Sequence, residues 1–330
     1  KKNKKVILIG LGVPDPKSIF GTTSKLFKKF GPNRVFDMPT SENGMTGIVL
    51  GSSISGMRPI LSHQRVEFAL LSVEQIINQA AKWSYMTDGK QRLPLVIRMI
   101  IGRGWGQGPQ HSQSLESLFA HIPGLKVVTP STGKDAKGLM ISSIEDNNPV
   151  IFFEHRWLHN NYDFVPNHYY KIPLGKANIM KKGKDITLVS FSYASILSLQ
   201  AAKESLEFNI DVEVVDLRCL RPIDLKTVFK SVQKTKRLII VDNGLKFFSI
   251  SSEISSSVGE KLFHVLKKPP IRIGIKDLPI PSSREIAKFC YPSSYEILKN
   301  IFNILDKPLN KMKTNLKKYT SDVPDDSFKG

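Results

Sequence analysis

Residues 37–59 read DMPTSENGMTGIVLGSSISGMRP, and Glu42 is the single acid between Asp37 and Glu67. It stands just ahead of a small-residue helical pattern over 45–56. A carboxylate there has two uses. It can be a solvated helix-start acid or N-cap, which the helix dipole favours. It can also be buried with a raised pKa and share a proton with a ligand nitrogen. Residues 102–113 read GRGWGQGPQHSQ, with four glycines alternating with larger residues in front of His111. Such a loop can cradle a phosphate, or bring backbone closer to a ligand or another chain than a Cβ allows. An imidazole behind it can bind a carboxylate, shuttle a proton or serve as a structural hydrogen-bonder. The G-x-G-x-G-x-G spacing is no phosphate fingerprint. The chain carries no complete dinucleotide or Walker motif and no His/Cys cluster at zinc spacing.

The elements that must position these residues alternate. VILIGLG (6–12), RPILSH (58–63), PLVIRMII (94–101), KVVTP (126–130) and PVIFFE (149–154) read as strands. Between them, 72–86 and 135–146 place apolar residues at helical spacing. This alternation predicts an α/β fold with a parallel sheet covered on both faces. A looser aromatic and proline-containing stretch runs to about Lys184, and then the alternation resumes: ITLVSFS (186–192), a helix, DVEVVDL (211–217), a helix, RLIIVD (237–242), a helix and PIRIGI (270–275). The expected organisation is a domain over 1–175, a smaller α/β domain over 185–310 and a polar tail over 311–330.

Composition narrows the classes. The 330 residues carry 48 Lys and Arg against 29 acids, a net charge of +19. The lysines are dispersed and no basic–aromatic interleaving suggests a base-stacking platform, so no nucleic-acid partner is expected. A solvated basic surface that steers anionic metabolites or meets an acidic partner is the alternative. No apolar run is long enough to span a membrane. The opening KKNKKVILIGLGVPDP has the outline of a signal peptide, but PDP cuts the apolar run short and no small-residue cleavage site follows; it reads as a buried strand. Cys219 and Cys290 are the only cysteines. They are too few for a disulfide framework and fit a reducing cytoplasm.

Several long segments together resemble one family. GPNRVFDMPTSENGMTG, NQAAKWSYMTDG, the run from GPQHSQ to VIFFEH, VEVVDLRCLRPID and IKDLPIPSS occur in order over nearly the whole chain. They are similar to the beta subunit of thiamine-diphosphate-dependent 2-oxo acid dehydrogenases of the pyruvate and branched-chain type. The resemblance implies a parallel-sheet pyrimidine-binding domain followed by a smaller α/β transketolase C-terminal domain. It further implies decarboxylation of a 2-oxo acid and acyl transfer, typically to lipoamide, within an α2β2 heterotetramer. That assembly has a beta–beta homodimer contact and a lipoyl acyltransferase as a further partner. On that resemblance Glu42 hydrogen-bonds N1′ of the cofactor pyrimidine. Phe68 packs against the pyrimidine with Gln64 on the same segment, and His111 lies near the substrate channel. Potassium, held in many members, would fall to the Ser143 and Ile144 carbonyls, Asp146, Asn148 and Leu95; the alternative is a capped helix C-terminus. The Gly-Asp-Gly…Asn motif for diphosphate and magnesium is absent, only Asp88-Gly89 remaining, so the resemblance assigns magnesium to the alpha subunit. It also implies that the 102–108 glycines pack close to the partner chain and cofactor. Two departures stand out: Gly10-Leu11-Gly12-Val13 replaces the usual acids after the first strand, and the glycine loop differs from that of typical pyruvate enzymes. Half of a split transketolase-like carboligase and a non-catalytic scaffold are the other readings.

Overall fold

The computed structural model describes residues 3–15, 18–319, 321 and 323–324. β-Branched runs, whose stiff side chains suit a pleated surface, form twelve strands. These are β1 (Val6–Ile9), β2 (Val35–Phe36), β3 (Arg58–His63), β4 (Val96–Ile101), β5 (Lys126–Val128), β6 (Val150–His155), β7 (Asn178–Lys181), β8 (Ile186–Ser190), β9 (Val212–Asp216), β10 (Cys219–Arg221), β11 (Leu238–Leu245) and β12 (Ile271–Ile275). The α-helices are α1 (Leu26–Phe30), α2 (Glu42–Ile54), α3 (Val66–Ala69), α4 (Trp83–Met86), α5 (Glu116–Ala120), α6 (Gly133–Glu145), α7 (Tyr193–Glu204), α8 (Leu225–Thr235), α9 (Ile250–Leu262), α10 (Arg284–Ala287) and α11 (Ser294–Ile304). Among the described residues, no helix is long and apolar enough to cross a membrane.

The strands make a seven-stranded sheet, β10-β5-β6-β4-β3-β1-β2, and a five-stranded sheet, β12-β11-β8-β9-β7. Pairing is parallel throughout except for β10 on β5 and β7 on β9. The expected parallel α/β architecture is therefore present, with two differences. The path expected as one helix over 72–86 is divided: a 3-10 turn at Leu70–Ser72, a π-helical segment at Gln75–Ala80 and α4. And β10, from the second half of the chain, completes the first sheet. Thr129 N–H donates to the Arg218 carbonyl at 2.7 Å, and Arg221 Nη1 to the Ala120 carbonyl at 2.8 Å. One apolar core runs across this seam, joining Phe119 and Phe153 to Leu217, Leu220 and Val228.

The centre of the first sheet holds a charge. Arg98 on β4 is buried and grips Glu154 of the neighbouring β6 through Nε (2.5 Å) and Nη2 (2.6 Å). Ser62 Oγ and Thr22 Oγ1 accept two more of its N–H groups at 3.0 and 2.7 Å. Burial acts to raise the Glu154 pKa, but the Arg98 guanidinium and the His159 contact outweigh it and hold the carboxyl well below its usual range. We expect Glu154→Gln, which strands the guanidinium, to cost about 3–5 kcal/mol, read as a lowered urea midpoint. The contribution of this carboxylate is present above its unfolded pKa of about 4.3. It is lost as pH falls below that value, and an acid titration of stability in the variant should lack the loss.

Candidate active site

Glu42 is the first residue of α2, with Ser41 as the N-cap. It is thus a first-turn acid, and it is buried, with 6% of its surface exposed. Its carboxylate has no hydrogen-bond or ion-pair partner among the described residues. The helix buries Met45, Thr46, Val49, Leu50 and Ser53 at helical spacing, which turns the Glu42 side of its first turn inward. Two bonds tie α2 to the segment that follows β3: Thr46 Oγ1 to Ser72 Oγ at 2.9 Å, and Gln75 Nε2 to Asn43 Oδ1 at 2.7 Å.

That segment holds the glycine loop from one side. Gln64 turns away from it and donates to the Leu11 carbonyl at 3.0 Å. Arg65 is buried and donates to the Gly102 carbonyl at 2.9 Å and to Gln107 Oε1. Glu67 Oε1 accepts the Gln113 N–H at 2.8 Å, while its other oxygen is buried without a partner. Burial raises the Glu67 pKa, against the backbone N–H and the Arg65 charge. Phe68 meets His111 edge-on, ring centroids 5.4 Å apart. The His111 Nδ1 is buried without a hydrogen-bond partner. The structure thus brings Phe68 and His111 together and sets Glu42 on the adjoining helix. Glu67 and Arg65 were not singled out in the sequence, where they look like ordinary helix-start charges. Only the return of the 102–113 loop across α3 gives them partners.

The second domain holds the loop from the other side. Gly102 has φ +101°, and a Cβ there would lie 2.8 Å from the His155 ring; Gly108 has φ +64°, and its Cβ would lie 2.3 Å from Ser282 Oγ. Both positions therefore exclude a side chain twice over, by conformation and by space. Within this chain Gly102 packs on the end of β6 and Gly108 on the second domain. Between those glycines Arg103 enters a cage of rings, 4.4 Å from Trp157, 5.4 Å from Tyr193 and 3.9 Å from Tyr291. Trp157 Nε1 donates to the Arg103 carbonyl at 2.9 Å.

Behind His111, α5 begins with the buried Glu116. Burial, and then the negative charge of Asp242, push its pKa up to about 8. Asp242 is itself pushed up to about 6 by burial, against N–H donors from Gly244 and Ser251. One Glu116 oxygen has no partner.

The residues expected to hold potassium lie at the end of α6, apart from Leu95 just before β4, and the chain's own cations meet them there. Arg58 Nη1 donates to the Ile144 and Asp146 carbonyls at 2.9 Å each, and Nη2 to Asn147 Oδ1 at 2.5 Å. The Lys126 ammonium pairs with Asp146 Oδ2. Asp146 Oδ1 accepts from Asn148 N and Nδ2. Ser143 Oγ bonds back to the Leu139 carbonyl, and the Leu95 carbonyl accepts the Val150 N–H. A guanidinium and an ammonium already neutralise this helix end, and a further cation beside them is opposed by Coulomb repulsion. The arrangement does not fit potassium.

Residues 1–160 match the family described as transketolase, pyrimidine binding domain, and residues 175–297 that described as transketolase, C-terminal domain. The pyruvate dehydrogenase E1 component subunit beta of Rickettsia felis is 37% identical over 300 residues, covering 91% of this chain and 92% of the relative. The chain belongs to the beta subunits of thiamine-diphosphate-dependent 2-oxo acid dehydrogenases. The chain is also 38% identical over 320 residues to the beta subunit of acetoin:2,6-dichlorophenolindophenol oxidoreductase from Bacillus subtilis, covering 93% and 94% of the two chains. A solved structure titled split gene transketolase, inactive beta4 tetramer, superposes with a TM-score of 0.75 at 21% identity, over 92% of this chain and 93% of the other. It shares the fold.

In this beta subunit Glu116 binds its proton more tightly folded than unfolded. Stability therefore falls as pH rises from the unfolded pKa of about 4.3 toward about 8. Glu116→Gln should remove that slope and raise the melting temperature at pH 8 by at least about 2 °C, measured by calorimetric scans at pH 6 and pH 8.

Proposed function

We propose that this chain supplies the pyrimidine half of a thiamine diphosphate site. With an alpha subunit it decarboxylates a 2-oxo acid and passes the acyl group on, with lipoamide as acceptor. The observation that carries the reading is Glu42, a buried carboxylate with no partner among the described residues, on a helix bonded to the segment that bears Phe68. Together with the bare Nδ1 of His111 and the ring of Phe68, this carboxylate fits an aminopyrimidine.

When bound, the cofactor supplies the carbon nucleophile that attacks the keto group. The chain's part is proton and position. Glu42 would hold a proton at N1′ of the pyrimidine. Phe68 packs on the ring, and His111 stands where it can bind a carboxylate or carry a proton during acyl transfer. The absent Gly-Asp-Gly…Asn motif leaves the diphosphate and its magnesium to the alpha chain. The outer face of α2 supports such a partner: no charge occurs from Asn43 to Met57, and Ile48 is 60% exposed.

Two outcomes are expected. Calorimetric titration of the isolated chain with thiamine diphosphate should show little or no binding; micromolar affinity without a partner would sink the half-site reading. In the reconstituted complex, Glu42→Gln should reduce turnover by about 10²–10⁴-fold. It should also slow hydrogen–deuterium exchange at the thiazolium carbon, read by NMR after acid quench. His111→Ala should spare that exchange and impair substrate use or acyl transfer. Exchange at the wild-type rate in Glu42→Gln would return Glu42 to a helix-start acid.

A further inference from the structure

Arg156, the residue after β6, has its guanidinium 3.3 Å from the centroid of the Phe20 ring and 4.6 Å from that of Trp105. Stacked on two rings, it makes no hydrogen bond or ion pair to a described residue, and its Nη1 is buried with no partner. A second guanidinium, that of Arg65, lies 5.6 Å from the same Phe20 ring. Arg65 spends N–H groups on Gly102 and Gln107. Of the acids nearby, Glu154 is engaged by Arg98 and His159, and Glu67, whose charge acts on Arg65, takes the Gln113 N–H on one oxygen. Burial, with the Arg65 charge, pushes the Arg156 pKa down to about 10. Phe20 is 39% exposed, so solvent reaches the cluster.

We propose that Arg156, oriented by Phe20 and Trp105 and reinforced by the charge of Arg65, forms a binding site for an oxyanion, either a carboxylate or a phosphate group. A guanidinium packed on two rings has less freedom to turn its planar N–H fork, which can grip two oxygens at once. A buried N–H with nothing to donate to gains most from such a partner. Trp105 and Gln107 belong to the loop that carries His111. One source of the oxyanion is therefore a second anionic group on the substrate, which would deepen the proposed function and rests on it. The other source is free phosphate, which does not.

The test begins with binding alone. The full chain is titrated calorimetrically with inorganic phosphate and with succinate at constant ionic strength, so that failure of the catalytic reading leaves this result untouched. The wild type should bind at least one of them, and Arg156→Gln should weaken that binding at least about tenfold. Arg156→Lys, which keeps the charge and loses the fork, should fall between the two, with circular dichroism showing all three equally folded. No binding by the wild type, or equal binding by Arg156→Gln, overturns the proposal. In the reconstituted complex, 2-oxoglutarate and 2-oxobutyrate then separate the sources. A KM increase in Arg156→Gln at least about tenfold larger for the dicarboxylate marks a substrate group. Equal changes for the two, with phosphate binding lost, mark a free anion.

Discussion

The site depends on Arg103 being held among Trp157, Tyr193 and Tyr291. The three rings come from the linker after the first sheet, the start of α7 and the approach to α11, while the arginine comes from the end of β4. A cation on a single ring contributes about 0.5–1 kcal/mol when exposed and about 2 or more when desolvated. Here the guanidinium is buried and meets three. Removing it would empty the cage and free the loop whose far end carries His111. The glycines on either side make this entry feasible, since a Cβ at Gly102 would strike His155.

The loop is consequently clamped between two walls. Arg65, Glu67 and Phe68 hold it from the first domain, and the aromatic cage and Ser282 hold it from the second. Such double support is how a histidine on a glycine-rich segment can be kept in one place. A loop with that much backbone freedom loses considerable entropy on ordering, and several independent contacts offset the loss. The strand β10 and the shared apolar core join the two walls.

Buried charge follows the same logic. Arg98 and Glu154 partner each other across β4 and β6. Arg58 and Lys126 close the end of α6 with cations of the chain itself. Glu67, His111, Glu116 and Arg156 differ, each leaving a buried polar atom without a partner among the described residues, and the Glu42 carboxylate likewise has none there. Polar groups in folded proteins are nearly always satisfied, so a cluster of exceptions on neighbouring elements points outward, to ligands and a partner chain.

The alternation of β-branched runs and helical periodicity was enough to establish the parallel α/β class, because residues at each strand and helix bury the same faces wherever the element sits. The order of motifs carried the family, and Glu42 and His111 were legible as candidates because an isolated acid and a histidine behind four glycines are unusual locally. Other features were decided only by the tertiary structure. Strand β10 joins the first sheet from a distance of ninety-odd residues, Cys219 pairing with Val128. Gly102 packs on the end of β6 and Gly108 on the second domain because His155 and Ser282 fold against them. Asp146 and Asn148 carry oxygen donors at suitable spacing for a cation, yet Arg58 arrives from β3 to occupy the neighbouring carbonyls. Glu67, Arg65 and Arg156 acquire meaning only once segments far apart in sequence meet. Local propensity is a property of a few consecutive residues, whereas the partner of a charge, or its lack of one, is set by chain segments that sequence spacing does not bring together.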